Sequence, residues 1–213
     1  MESKDEKGNN LLHRAVMAGR EEMARYISKK YQDLSVQFNN YGLAPIHLAL
    51  ISDHPGLVDA LLWITKNKFK DIRTRPDNLS LLQYIAKNSH PTILKFYLTN
   101  FAGSSKTILK RINEADEKGH TSMHLAAASG FRETISILHA YGGDLFKRDH
   151  ENMLPLHHAI ANGFTFTAQF IGRLMNSHPR KHVNDDLIGS SCLLKACLNS
   201  FDPLTVKCLL SWN

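Results

Sequence analysis

Cysteine is scarce in this sequence, with three residues, Cys192, Cys197 and Cys208, all close to the end of the chain and each set among leucine, alanine or valine. So few thiols in so apolar a setting exclude a disulfide-stapled scaffold and read as small buried side chains in a reducing compartment. Long apolar runs are missing as well. Residues 57–64, among the longest, fall well short of the ~20 residues that a membrane-crossing helix needs. The polar opening Met1-Glu-Ser-Lys-Asp-Glu-Lys7 has no apolar segment behind it to make a secretory leader. A cytoplasmic chain without membrane insertion is the expectation.

Catalytic signatures are equally absent. No His-Glu-x-x-His, Gly-x-Ser-x-Gly or Cys-x-x-Cys occurs, and Gly103-Ser-Ser-Lys106 lacks the upstream glycine of a phosphate loop. With no nucleophile beside a base, no enzyme activity and no cofactor are expected of this chain. The net charge of +6 decides nothing alone. Its densest basic stretch, Lys66-x-Lys68-x-Lys70-x-x-Arg73-x-Arg75, has neither a nucleic-acid signature nor regular aromatic platforms, so it reads as a solvated connector.

What the chain does have is a period. Turn residues Gly8, Gly42, Asn78, Gly119, Asn152 and Gly189 are separated by 34, 36, 41, 33 and 37 residues. Five positions after each comes His13, His47, Gln83, His124, His157 or Leu194, and two further on a mostly small residue: Ala15, Ala49, Ile85, Ala126, Ala159 or Ala196. This register never slips, so extra residues fall between units, where loops absorb them. Gly and Asn tolerate the left-handed backbone of a tight hairpin. Thr121 and Ser191 are helix-capping types, and Pro45 and Pro155 suit a first helical turn, which has no use for their missing N–H. A short helix follows, ending at Gly19, Gly130 or Gly163 or at the equivalent Asp53, Ser89 or Ser200. A second amphipathic stretch succeeds it, as in Leu57-Val58-x-x-Leu61-Leu62.

The segments Thr121-Ser-Met-His-Leu-Ala-Ala-Ala-Ser-Gly130, Ala44-Pro-Ile-His-Leu-Ala49 and Leu154-Pro-Leu-His-His-Ala159 resemble the Thr-Pro-Leu-His-x-Ala signature of ankyrin repeats. The resemblance implies an all-α solenoid of six helix-turn-helix units, approximately 5–38, 39–74, 75–99, 113–148, 149–183 and 186–213, with an insertion at 100–112. The structural motif is then carried by Gly8, His13, Gly42, His47, Gly119, His124 and His157. The third and sixth units, with Gln83 and Leu194, lack the histidine that in the family ties a turn to its neighbour, and weaker interfaces are expected there. The chain stops at Leu209-Leu-Ser-Trp-Asn213, inside the sixth unit's second helix, and that face is expected to stack on further repeats of a longer protein. Otherwise a monomer is expected.

Twelve histidines raise the question of metal. His120/His124 and His178/His182 have the i,i+4 spacing of two ligands on one helix face. The turn motif accounts for His124, a hairpin for His120, and a proline-containing loop for His178-Pro-Arg-Lys-His182, so no metal is expected. A stack of rigid units exposes hairpin tips and first helices for another protein to bind. Expected contact residues are Arg14, Met17 and Arg20 on the first unit, Tyr41, Asp77, Lys118 and His150 at the tips, and Phe131. Phe164 and Phe166 are expected to pack inward with Phe170. A protein-binding scaffold is the leading reading. The alternatives are a host-directed effector of an intracellular bacterium and the substrate-capturing array of a larger enzyme or channel.

Overall fold

A computed structural model describes residues 4–177 apart from 53, 65–71, 76, 89, 101 and 102. The sixth unit, the three cysteines, His178, His182 and most of the basic connector lie outside the described residues. Among those described, helices and tight turns alternate and no strand is present. Contacts divide the chain into two compact units at Ser105/Lys106, inside the expected insertion.

In the first unit the helices are α1 (Leu11–Met17), α2 (Glu21–Lys30), α3 (Pro45–Ile51), α4 (Pro55–Ile64), α5 (Leu81–Asn88) and α6 (Pro91–Asn100), with a 3-10 turn at Gln32–Val36. First helices pack on first helices, α1 on α3 and α3 on α5. Second helices do the same, α2 on α4 and α4 on α6. The core between the two layers holds Leu12, Ile46, Leu50, Leu57, Leu61, Leu82, Ile85, Ile93 and Leu94, all essentially inaccessible to solvent. None of these helices exceeds ten residues, so each depends on its neighbours for stability.

The second unit takes in all but the first residue of α7 (Ser105–Ile112) and continues through α8 (Ser122–Ala128), α9 (Arg132–Ala140), α10 (Pro155–Ala161) and α11 (Thr165–Asn176). The residues at 100–112 were expected as an insertion that loops absorb; instead, most of them form α7. Asn113, directly after this helix, donates to the carbonyl of Gly142 (3.0 Å) and accepts from the N–H of Asp144 (2.9 Å), anchoring α7 to the turn after α9. Again first helix packs on first helix, α8 on α10, and second on second, α9 on α11.

The inward placement expected for Phe164 and Phe166 is overturned. Phe166 is 76% exposed and Phe164 37%. The buried stripe of α11 runs through Ala168, Ile171 and Met175, and two residues before Ala168 is the opposite side of a 3.6-residue period. Phe170 is only half-buried, under the guanidinium of Arg132 (4.7 Å).

Candidate functional site

Each hairpin is built the same way. At its tip the turn residue has positive φ: Gly8 75°, Gly42 69°, Asn78 50°, Gly119 83° and Asn152 62°. At the base of four of them one side chain gathers two backbone N–H groups onto a single oxygen. Asp5 takes those of Lys7 and Asn9, Asn39 those of Tyr41 and Leu43, Asp116 those of Lys118 and His120, and Asp149 those of Glu151 and Met153. These base residues went unnoticed in the sequence, although Asp, Asn, Asp and Asp stand three positions before Gly8, Gly42, Gly119 and Asn152. Successive tips are then joined by backbone: Asn40 N–H to Lys7 O, Arg75 N–H to Gly42 O, and His150 N–H to Lys118 O, all at 2.9–3.0 Å.

The motif histidines link each tip to the helix behind it. Nδ1 of His13, His47, His124 and His157 accepts the N–H of Asn10, Ala44, Thr121 and Leu154 at 3.0–3.3 Å, and Gln83 Oε1 takes that of Ser80. The histidine therefore caps its own helix from the third position. Thr121, expected to cap α8, is its N-cap residue, and its hydroxyl lies 2.9 Å from His124 Nδ1. Nε2 reaches the next unit, His13 to Leu43 O (2.9 Å) and His124 to Met153 O (3.1 Å). His47 breaks the series. Its Nε2 is buried without a hydrogen-bond partner, and its ring meets Tyr84 edge-on at 5.2 Å. Burial pushes the pKa of His13 down, and those of His47 and His124 down to about 4.

Of the expected contact residues, Arg14, Arg20, Met17 (59% exposed) and Tyr41 (62%) stand in solvent on the first unit. Asp77 is exposed but tied to Lys87 at 2.7 Å. In the second unit Lys118 and His150 are exposed at paired tips, whereas Phe131 is half-buried. In the connector, Arg75 lies over the ring of Phe38 at 4.3 Å.

One constellation was not seen in the sequence. The His120/His124 pair that spacing offers is not the pair that converges, because His124 is committed to Thr121 and Met153. Instead His120, at the fourth hairpin, meets Asp149 of the fifth hairpin and His158 of α10. Asp149 Oδ2 lies 2.7 Å from His158 Nε2 and 3.4 Å from His120 Nε2. His120 Nδ1 faces Asp116 Oδ2 at 3.4 Å. The carboxylate of Asp149 is fully buried and its pKa is lowered. Burial pushes it up, but hydrogen bonds from Met153 N–H and His158 together outweigh that. Aligning the units and reading across neighbouring register positions, not along one helix, is the signal that finds this cluster.

Short paired helices stacked layer on layer, with hairpin tips joined unit to unit, define a helical tandem-repeat protein. Residues 1–75 and 82–171 match the family described as ankyrin repeats (3 copies), and the chain belongs to that family. Similar proteins include the human transient receptor potential cation channel subfamily A member 1, 28% identical over 172 residues, which cover 79% of this chain and 15% of the channel. Mouse synphilin-1 is 25% identical over 170 residues, covering 78% of this chain and 17% of that protein. Human rabankyrin-5 is 35% identical over 71 residues, 33% of this chain and 6% of its own length. The chain thus spans under a fifth of the length of these relatives. No helix among the described residues is long and apolar enough to cross a membrane.

Proposed function

We propose that this chain is a protein-binding module that engages a partner through the hairpin tips and first helices, with no chemistry of its own. The observation that carries the reading is the contrast within α1 and the second hairpin. Leu12, His13, Ala15 and Val16 are buried to 7% exposure or less, while Arg14, Met17, Arg20 and Tyr41 stand in solvent. Residues that hold the stack and residues free to meet a partner are thereby separated on the same short segment, so the outer set can vary without cost to the core. An exposed tyrosine together with arginines also has the composition of interface anchors.

The test is affinity capture with the chain and with a Tyr41→Ala, Arg14→Ala, Arg20→Ala variant, both shown by circular dichroism to hold the same helix content. A partner retained by the parent and lost by the variant supports this face. Equal capture by both, or none by either, overturns it.

A further inference from the structure

We propose that His120, Asp149 and His158 form a binding site for one zinc-class divalent cation, placed between two adjacent repeats of the second unit. The three side chains each offer one ligand atom, and these atoms all lie within 4.8 Å of one another. Two imidazole nitrogens and one carboxylate oxygen are the donor set that zinc takes when a fourth position is left to solvent. With metal–ligand bonds of about 2.0–2.1 Å, neighbouring donors of a tetrahedral ion stand about 3.3 Å apart. The Asp149–His120 separation of 3.4 Å already matches that edge. The Asp149–His158 contact of 2.7 Å has to open by about half an ångström, and the two imidazole nitrogens, up to 4.8 Å apart, have to close toward the same edge as the rings turn to the ion.

The surroundings hold the donors in place. Asp149 Oδ1 is occupied by the N–H groups of Glu151 and Met153, which aims Oδ2 at both imidazoles. Asp116 is fixed in the same manner by Lys118 and His120 N–H, and its Oδ2 faces Nδ1 of His120, the nitrogen that does not point at Asp149. A carboxylate behind a ligating histidine orients the ring and raises its basicity. The two carboxylates bring negative charge to match the cation, and the 18–20% exposure of the His158 and His120 side chains gives it a way in and a place for water. Because His120 comes from one hairpin and Asp149 and His158 from the next unit, a bound ion cross-links the two repeats.

The experiment titrates the full chain with cobalt(II) and zinc, with Cys192, Cys197 and Cys208 changed to serine so that thiolates beyond the described residues do not compete. The expected result is one cobalt per chain with visible d–d bands of a four- or five-coordinate ion, displaced by zinc, and a zinc-dependent rise in Tm. His158→Gln and His120→Gln each weaken binding more than about tenfold and abolish the Tm rise. Asp116→Asn, a positioning change, weakens binding by about 10–100-fold without altering the one-to-one stoichiometry. Metal-free circular dichroism checks that the variants fold. His158→Asn and His120→Asn stand in for any glutamine variant that does not. Absence of cobalt bands in the serine background, or binding by the folded histidine variants equal to that of the parent, overturns the proposal.

Discussion

A glycine at a hairpin tip and a glycine at a helix end both carry positive φ, yet they do different work. Gly42 (φ 69°) abuts the backbone of Arg75 in the next hairpin, and a Cβ there would overlap the Arg75 carbonyl. Gly19 (φ 66°) ends α1 with only His54 nearby, 3.8 Å from the same hypothetical carbon. Gly19→Ala is expected to cost only the left-handed strain, about 1–2 kcal/mol. Gly42→Ala is expected to cost clearly more, because the tip-to-tip bond from Arg75 N–H to Gly42 O must also shift. Urea denaturation of the two variants checks this, and equal midpoints would mean that the close approach contributes nothing.

At the level of elements, the first helices are seven or eight residues long and rely on the side-chain cap at their third position, a histidine in four of them and Gln83 in α5. His124 serves α8 twice, through Nδ1 to the N–H of Thr121 and through Nε2 to Met153 of the next unit. His47 serves α3 once, and its Nε2 has no partner. His47→Ala is therefore expected to cost at least about 1 kcal/mol less than His124→Ala, the worth of one hydrogen bond. Thermal or denaturant unfolding of both variants gives the difference, and a reversed order would refute the ladder as drawn. The sequence singles out the motif histidines but not this asymmetry. Weakness was expected at the third unit, where Gln83 stands in place of the histidine; within its own unit Gln83 still takes the N–H of Ser80, and an unpartnered Nε2 occurs one unit earlier, at His47. Nothing local to His47 encodes it, since the missing acceptor belongs to another repeat.

For the whole molecule, the buried histidines make stability depend on pH. His47 and His124 titrate at about 4 when folded against 6.5 in the reference state. Between those values the unfolded chain binds protons that the folded chain refuses, so stability is complete above pH 6.5 and is lost as pH falls toward 4. The loss amounts to at most about 3 kcal/mol per histidine. Urea midpoints measured from about pH 7 down to about pH 4.5 should decline, and His124→Gln should flatten the decline. A profile level across that range in the parent chain would contradict the burial of both rings.

The repeat, its register, the helix-turn-helix units and the recurrence of a histidine in the turn motif were legible in the amino-acid sequence, because each recurs at fixed spacing from unit to unit. A left-handed turn, a capped helix and an apolar stripe are local demands, and the chain repeats them from unit to unit. Three outcomes needed the tertiary structure. Residues at 105–112 became a helix that Asn113 ties to the turn at Gly142; Phe166 turned outward because Ala168, Ile171 and Met175 claimed the core; and His120 met Asp149 and His158 across two repeats. In each, the deciding partner lies in another element, and stacking, which brings register positions of neighbouring units face to face, is what joins residues far apart along the chain.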